Sequence, residues 1–68
     1  MFIESTITTG EKILITMKDI SAIREEKPEY PDFKTKYYVF VNRFSWCFNE
    51  ENGSMIYEAW KTFLMEKI

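Results

Sequence analysis

Histidine is absent from this 68-residue chain, and cysteine occurs once, as Cys47. A metal centre built from imidazole and thiolate ligands cannot be assembled from that inventory. An intrachain disulfide is excluded on the same count. Cys47 also lacks the histidine base that would make it a nucleophile, so it reads as a packing residue. Glycine and proline occur twice each, too few for a Gly-rich phosphate cradle. No D-x-D-x-D-G calcium loop is present. No segment approaches the roughly 20 apolar residues that span a bilayer. Charge is nearly balanced, nine basic against eleven acidic residues for a net of −2. A dedicated duplex-DNA binder would carry a basic excess to neutralise phosphates. The Glu25-Glu26 and Glu50-Glu51 pairs sit in polar turns and read as solvated charge rather than acid–base machinery. The expectation is a non-enzyme with no catalytic residue, no metal and no cofactor.

The opening MFIESTITTGEKI lacks the basic segment and continuous apolar run of a signal peptide. With a lone cysteine, this places the expected location in the reducing cytoplasm. Residues 1–68 make one small domain. A chain of this size buries only about 60% of its unfolded surface and is marginally stable. Disulfides and Cys/His metal sites being closed to it, association is the remaining route to added stability.

What the chain does have is an aromatic run. Lys36–Asn49, KYYVFVNRFSWCFN, carries Tyr37, Tyr38, Phe40, Phe44, Trp46 and Phe48. It predicts a β-hairpin turning at Asn42-Arg43. A two-residue turn makes Val41–Phe44, Val39–Trp46 and Tyr37–Phe48 facing pairs on one side, the core side. The other side carries Phe40–Ser45, Tyr38–Cys47 and Lys36–Asn49, which is too aromatic for a plain solvated face.

Upstream, residues 2–8 and Lys12–Met17 alternate as strands about a turn at Gly10. A loop over Thr9–Glu11 pairs Ile7 with Ile13 and Ile3 with Met17. Ile20–Glu25 is a third strand with Ile23 inward and a charged Arg24-Glu25-Glu26 end suited to an edge. Residues 26–35, EKPEYPDFKT, form a loop, because two prolines preclude pairing inside a sheet. Tyr30 and Phe33 in it either fold back over the core or are presented to a partner.

Asn49–Gly53 reads as a polar turn, with Ser54 as N-cap of a closing helix and Lys67 favourable in its last turn. Met55, Ile56, Ala59, Trp60, Phe63 and Leu64 form a stripe about 180° wide, broader than the ~100° a surface helix needs. The expected fold is α+β, in the order β-β-β-loop-β-β-α. Its strands form a five-stranded, mostly antiparallel bent sheet or an SH3-like barrel, capped by one C-terminal helix. The predicted core joins Trp46, Val39 and Phe44 to Trp60 and Phe63.

The run FIESTITTGEKILITMKDISAIREE resembles the opening of small FlbD-type proteins and related short β-rich accessory proteins of bacteria and their phages. Gly10, Ile13, Ile15, Ile20 and Ile23 carry the match, with Tyr57-Glu58-Ala59 in the closing helix. Met17-Lys18 stands where that pattern has Asn-Pro. The resemblance implies regulatory or accessory work through protein contact.

The residues themselves lead to the same class. A small, non-enzymatic, self-associating interaction module is expected, meeting a protein partner or its own copy. Tyr38, Phe40, Tyr30, Phe33, Arg43, Tyr57 and Leu64 are the candidate contact residues. One alternative is a phage- or mobile-element-encoded inhibitor of a host protein. Another is a single-strand nucleic-acid binder using the Tyr38/Phe40 face. Lys36, Tyr38 and Phe40 echo the central RRM signature, but Tyr37 and Val39 fill its small positions and the βαββαβ order is missing.

Overall fold

The structure, a computed structural model, describes residues 1–66. Its elements are β1 (Phe2–Thr6), β2 (Lys12–Thr16), a 3-10 turn (Met17–Asp19), β3 (Ile20–Glu26), β4 (Lys36–Val41), β5 (Phe44–Phe48) and α1 (Glu50–Glu66). The class is α+β, as expected. The single bent sheet or SH3-like barrel is not formed. The strands divide into a two-stranded sheet, β1-β2, and a three-stranded sheet, β3-β4-β5, both antiparallel.

Met17 explains the division. Instead of ending β2 opposite Ile3, it opens the 3-10 turn and is fully buried. Its N–H donates to the Met1 carbonyl at 2.9 Å. The residues flanking the turn, Thr16 and Ile20, are both extended. The chain therefore leaves β2 and enters β3 in a different sheet, without folding back to pair the two. Thr8 N–H, donating to the Cys47 carbonyl at 3.0 Å, ties the first hairpin to β5.

The first hairpin is two residues out of the expected register: Ile3 faces Ile15 and Ser5 faces Ile13. Its loop is Thr8–Gly10, closed by Ile7 N–H to the Glu11 carbonyl at 2.9 Å. Gly10 has φ +97°. Three-residue hairpin loops put their left-handed position last, where glycine is the cheap choice. A two-residue shift leaves every side chain on its original face, so alternation alone does not exclude it. The aromatic hairpin keeps the expected register throughout, from Val41↔Phe44 to Tyr37↔Phe48. Asn42 supplies the positive φ, 55°, at its turn.

The helix starts four residues before Ser54. Asn49 is the cap: its Oδ1 accepts the Asn52 N–H at 2.8 Å, and Glu50 and Glu51 stand in the first turn, where carboxylates suit the helix dipole. Ser54 lies inside the helix, its hydroxyl donating to the Glu51 carbonyl at 3.0 Å. Lys67 lies outside the described residues.

The core gathers Ile7, Ile15, Met17 and Ile20 with Tyr37, Val39, Phe48 and Ile56. Of the expected hairpin–helix cluster, Val39 is fully buried, while Trp46, Trp60 and Phe63 pack half-buried against the core. Phe44 is a correction, being 67% exposed. It shares a face with Val39 and stacks on Trp46, ring centroids 6.4 Å apart. Alternation fixes which side a residue points to, not how far cover on that side extends.

Candidate functional site

The candidate contact residues fall into separate places on the fold. Tyr38 and Phe40 occupy one side of the three-stranded sheet, facing Arg24 and Ala22 across β3 and Cys47 and Ser45 across β5. Both are half-buried. The Arg24 guanidinium sits 4.6 Å from the centre of the Tyr38 ring and 3.6 Å from Glu26. The Tyr38 hydroxyl points at Glu26 Oε1, at a long 3.5 Å. That carboxylate, with a smaller contribution from desolvation, raises the Tyr38 phenol above its ordinary value. The ring is thus already engaged by a cation within the chain.

On the opposite side of this sheet lie Tyr37 and the helix. The Tyr37 hydroxyl donates to Glu25 Oε2 at 2.9 Å. Tyr57 meets Tyr37 at 6.1 Å between centroids and has Lys61 Nζ 5.2 Å from its own ring centre. Tyr57 is therefore partly a packing residue. Leu64, on the same helix, is 42% exposed. Arg43 is exposed at the tip of the aromatic hairpin.

Tyr30 and Phe33 are brought together by the 27–35 loop. They are 62% and 66% exposed, with ring centroids 6.1 Å apart in an edge-on arrangement. Neither folds back over the core. They help line a cleft of about 270 Å³ together with Pro28 and charged residues of both loop arms. A turn bond from Phe33 N–H to the Tyr30 carbonyl, 3.1 Å, shapes the loop tip. Thr35 N–H donates to Glu50 Oε2 at 2.9 Å, tying the loop to the helix N-terminus.

Glu26, in the charged end of the third strand, and Lys36, in the RRM echo, are legible one by one, but their meeting with Glu29 and Lys34 on the rim of one cleft is not. Lys27 and Asp32 stand among these residues in the sequence, so no local charge pattern marks the rim. Nor is the indole N–H of Trp60 legible, which is buried without a hydrogen-bond partner among the described residues. No sequence signal distinguishes such a group.

Among the described residues, no three His, Cys, Asp or Glu side chains gather as metal ligands. No helix there is long and apolar enough to cross a membrane. Cys47 is a half-buried free thiol. No protein-family model, curated protein or solved structure matches the chain.

Proposed function

We propose that this chain is a non-enzymatic protein-interaction module that works as a small regulatory or accessory protein and associates with its own copy. The observation that carries this reading is the balance of apolar side chains. Among the described residues, nine large hydrophobic side chains are exposed, including Phe2, Leu14, Phe44, Leu64 and Met65, against eight buried in the core. The total accessible surface is 5249 Å², where a compact monomer of this mass has ~4,500 Å². The radius of gyration, 12.0 Å, likewise exceeds the ~11 Å of a compact 68-residue domain. So much exposed apolar surface on a small, marginal fold is what a partner surface relieves.

The helix edge at Tyr57–Leu64 and the hairpin tip at Phe44 supply more exposed apolar surface than the half-buried Tyr38/Phe40 face. Two-fold association, each patch meeting its own copy, is the commonest arrangement for such surfaces. Arg24 over the Tyr38 ring and the net charge of −2 both argue against a base-stacking platform.

Light scattering on the wild type is the test, and a dimer or higher mass at high micromolar concentration is expected. Leu64→Glu or Phe44→Glu should return the mass to a monomer, with Phe40→Glu much less effective. A monomer at every concentration would remove self-association. If no protein were then captured from the source cell extract under salt-tolerant conditions, the module reading would fall with it.

A further inference from the structure

We propose that the cleft of the 26–36 segment is a peptide site. It takes one large apolar anchor side chain from an extended partner segment that carries a basic residue on one side of the anchor and an acidic residue on the other. This deepens the interaction reading above and rests on it.

Size sets the first limit. At about 270 Å³, the cleft falls just under the ~300–1,000 Å³ of typical small-molecule sites. That accommodates one side chain with its adjoining backbone, and little more. The apolar floor suits such an anchor. Tyr30 and Phe33 present rings set at 63° to one another, with Pro28 beside them. Aromatic rings and proline are rigid, so an incoming side chain orders few rotamers.

The frame is held in place independently of any ligand. Glu26 and Lys36 face each other across the strand ends at the base of the loop. Beyond them, the Thr35–Glu50 bond secures the rising arm. A loop so anchored has less entropy to lose on binding than a free one.

Charge then selects the ligand. Glu26 and Glu29 stand on the arm leaving β3, and Lys34 and Lys36 on the arm entering β4. Among the described residues no ion pair joins the two arms. Glu26 turns instead to Arg24 at 3.6 Å. Lys27, on the same arm as the glutamates, is drawn to Glu25 at 3.8 Å and does not line the cleft. The cleft therefore offers Glu29, with Glu26 shared with Arg24, from one arm and the Lys34 and Lys36 ammonium groups from the other. A chain with one basic and one acidic residue flanking the anchor complements both. A phosphate backbone satisfies only the lysines and is repelled by the glutamates.

The experiment is a titration of the isotope-labelled full chain followed by amide NMR shifts. The probes are the capped peptides Lys-Ala-Phe-Ala-Glu and Glu-Ala-Phe-Ala-Lys, the same pair with serine replacing phenylalanine, and an oligothymidylate. Shifts confined to residues 26–36 are expected at up to millimolar peptide, with one charge order favoured roughly three-fold or more, as exposed ion pairs allow. Serine peptides should give none. Phe33→Ser should abolish binding while keeping a folded spectrum, since Phe33 is 66% exposed. Lys34→Glu should erase the order preference yet retain anchor binding, which guards against a merely collapsed loop in the first variant.

Absence of shifts at millimolar peptide, or shifts equal for phenylalanine and serine probes, would overturn the proposal. So would salt-steep oligothymidylate binding, which would make the cleft a nucleic-acid site. Self-association is read separately, because Phe33→Ser should leave the light-scattering mass of the wild type unchanged.

Discussion

Gly53 and Tyr37 are packed so closely that a methyl group on the glycine would lie 2.5 Å from the Tyr37 Cβ. Helix α1 crosses the sheet at this point, and a bare backbone lets it settle onto the ring. Gly53→Ala is the sharpest test of that packing. In an open helix the change would gain up to about 1 kcal/mol of propensity. Here the clash falls on the root of a side chain, which has no flexible end to yield. Overpacking of this kind costs about 1–3 kcal/mol, so a net loss of stability is expected despite the propensity gain. Thermal unfolding checks it. A variant melting above the wild type would show that helix and sheet are not in contact at Gly53.

A second prediction separates two candidate helix starts. Asn49→Ala removes the acceptor of the Asn52 N–H and should cost ~1 kcal/mol, as lost N-caps do. Ser54→Ala removes only a hydroxyl donating within the helix and should lie within about 0.5 kcal/mol of the wild type. Chemical denaturation of both variants decides. Equal losses would restore Ser54 as the start of the helix.

These two residues also show where sequence reasoning stops. Gly53 beside Asn49, Glu50 and Glu51 looks like a turn, because glycine is costly inside helices. Only the ring of Tyr37, sixteen positions upstream, makes it the right residue there. The register of the aromatic hairpin was legible in full, since a two-residue turn and strict alternation allow one pairing, but the exposure of Phe44 at its end was not. The first hairpin kept its faces but not its register, which the backbone of Gly10 decides. The split into two sheets depends on burying Met17, a long-range event with no local signature. Among the contact candidates, the Tyr30–Phe33 pair was visible as two aromatics in a charged loop. That they would enclose a cleft with Pro28 was not, because the loop is positioned by contacts distant in sequence, the Thr35–Glu50 bond among them.

Trp60 supplies a third prediction. It packs half-buried against the core while its indole N–H is buried without a partner among the described residues. Burying an unsatisfied donor costs about 1–3 kcal/mol, which offsets part of what the ring contributes. Trp60→Phe keeps an aromatic ring and deletes that donor. It should cost far less than Trp60→Ala, for which about 3 kcal/mol is expected, the lower end of the range for aromatic truncation in a core. Equilibrium unfolding of the two variants gives the comparison. Equal large losses would mean that the N–H is satisfied in solution, and a Trp60→Ala variant with the wild-type melting temperature would separate the helix from the core.

The last prediction is a pH dependence set by Tyr37. Burial is the main cause that raises its phenol above the ordinary 10.0, and the hydrogen bond it donates to the Glu25 carboxylate adds to it. A raised pKa in the folded state means that the folded chain holds this proton more tightly than the unfolded chain does. Its contribution to stability is therefore complete below pH 10 and is lost as pH rises through the folded value. Denaturant midpoints measured from pH 8 upward should fall across that alkaline window. Tyr37→Phe keeps the buried ring and loses the titration, so its midpoint should fall less steeply. At neutral pH it should lose about 0.5–1.5 kcal/mol, the worth of one hydrogen bond. Tyr38, raised chiefly by Glu26, leaves a residual slope that Tyr38→Phe should remove. If Tyr37→Phe tracked the wild type at every pH, the Tyr37–Glu25 bond would carry no linkage, and the alkaline loss would belong to other groups.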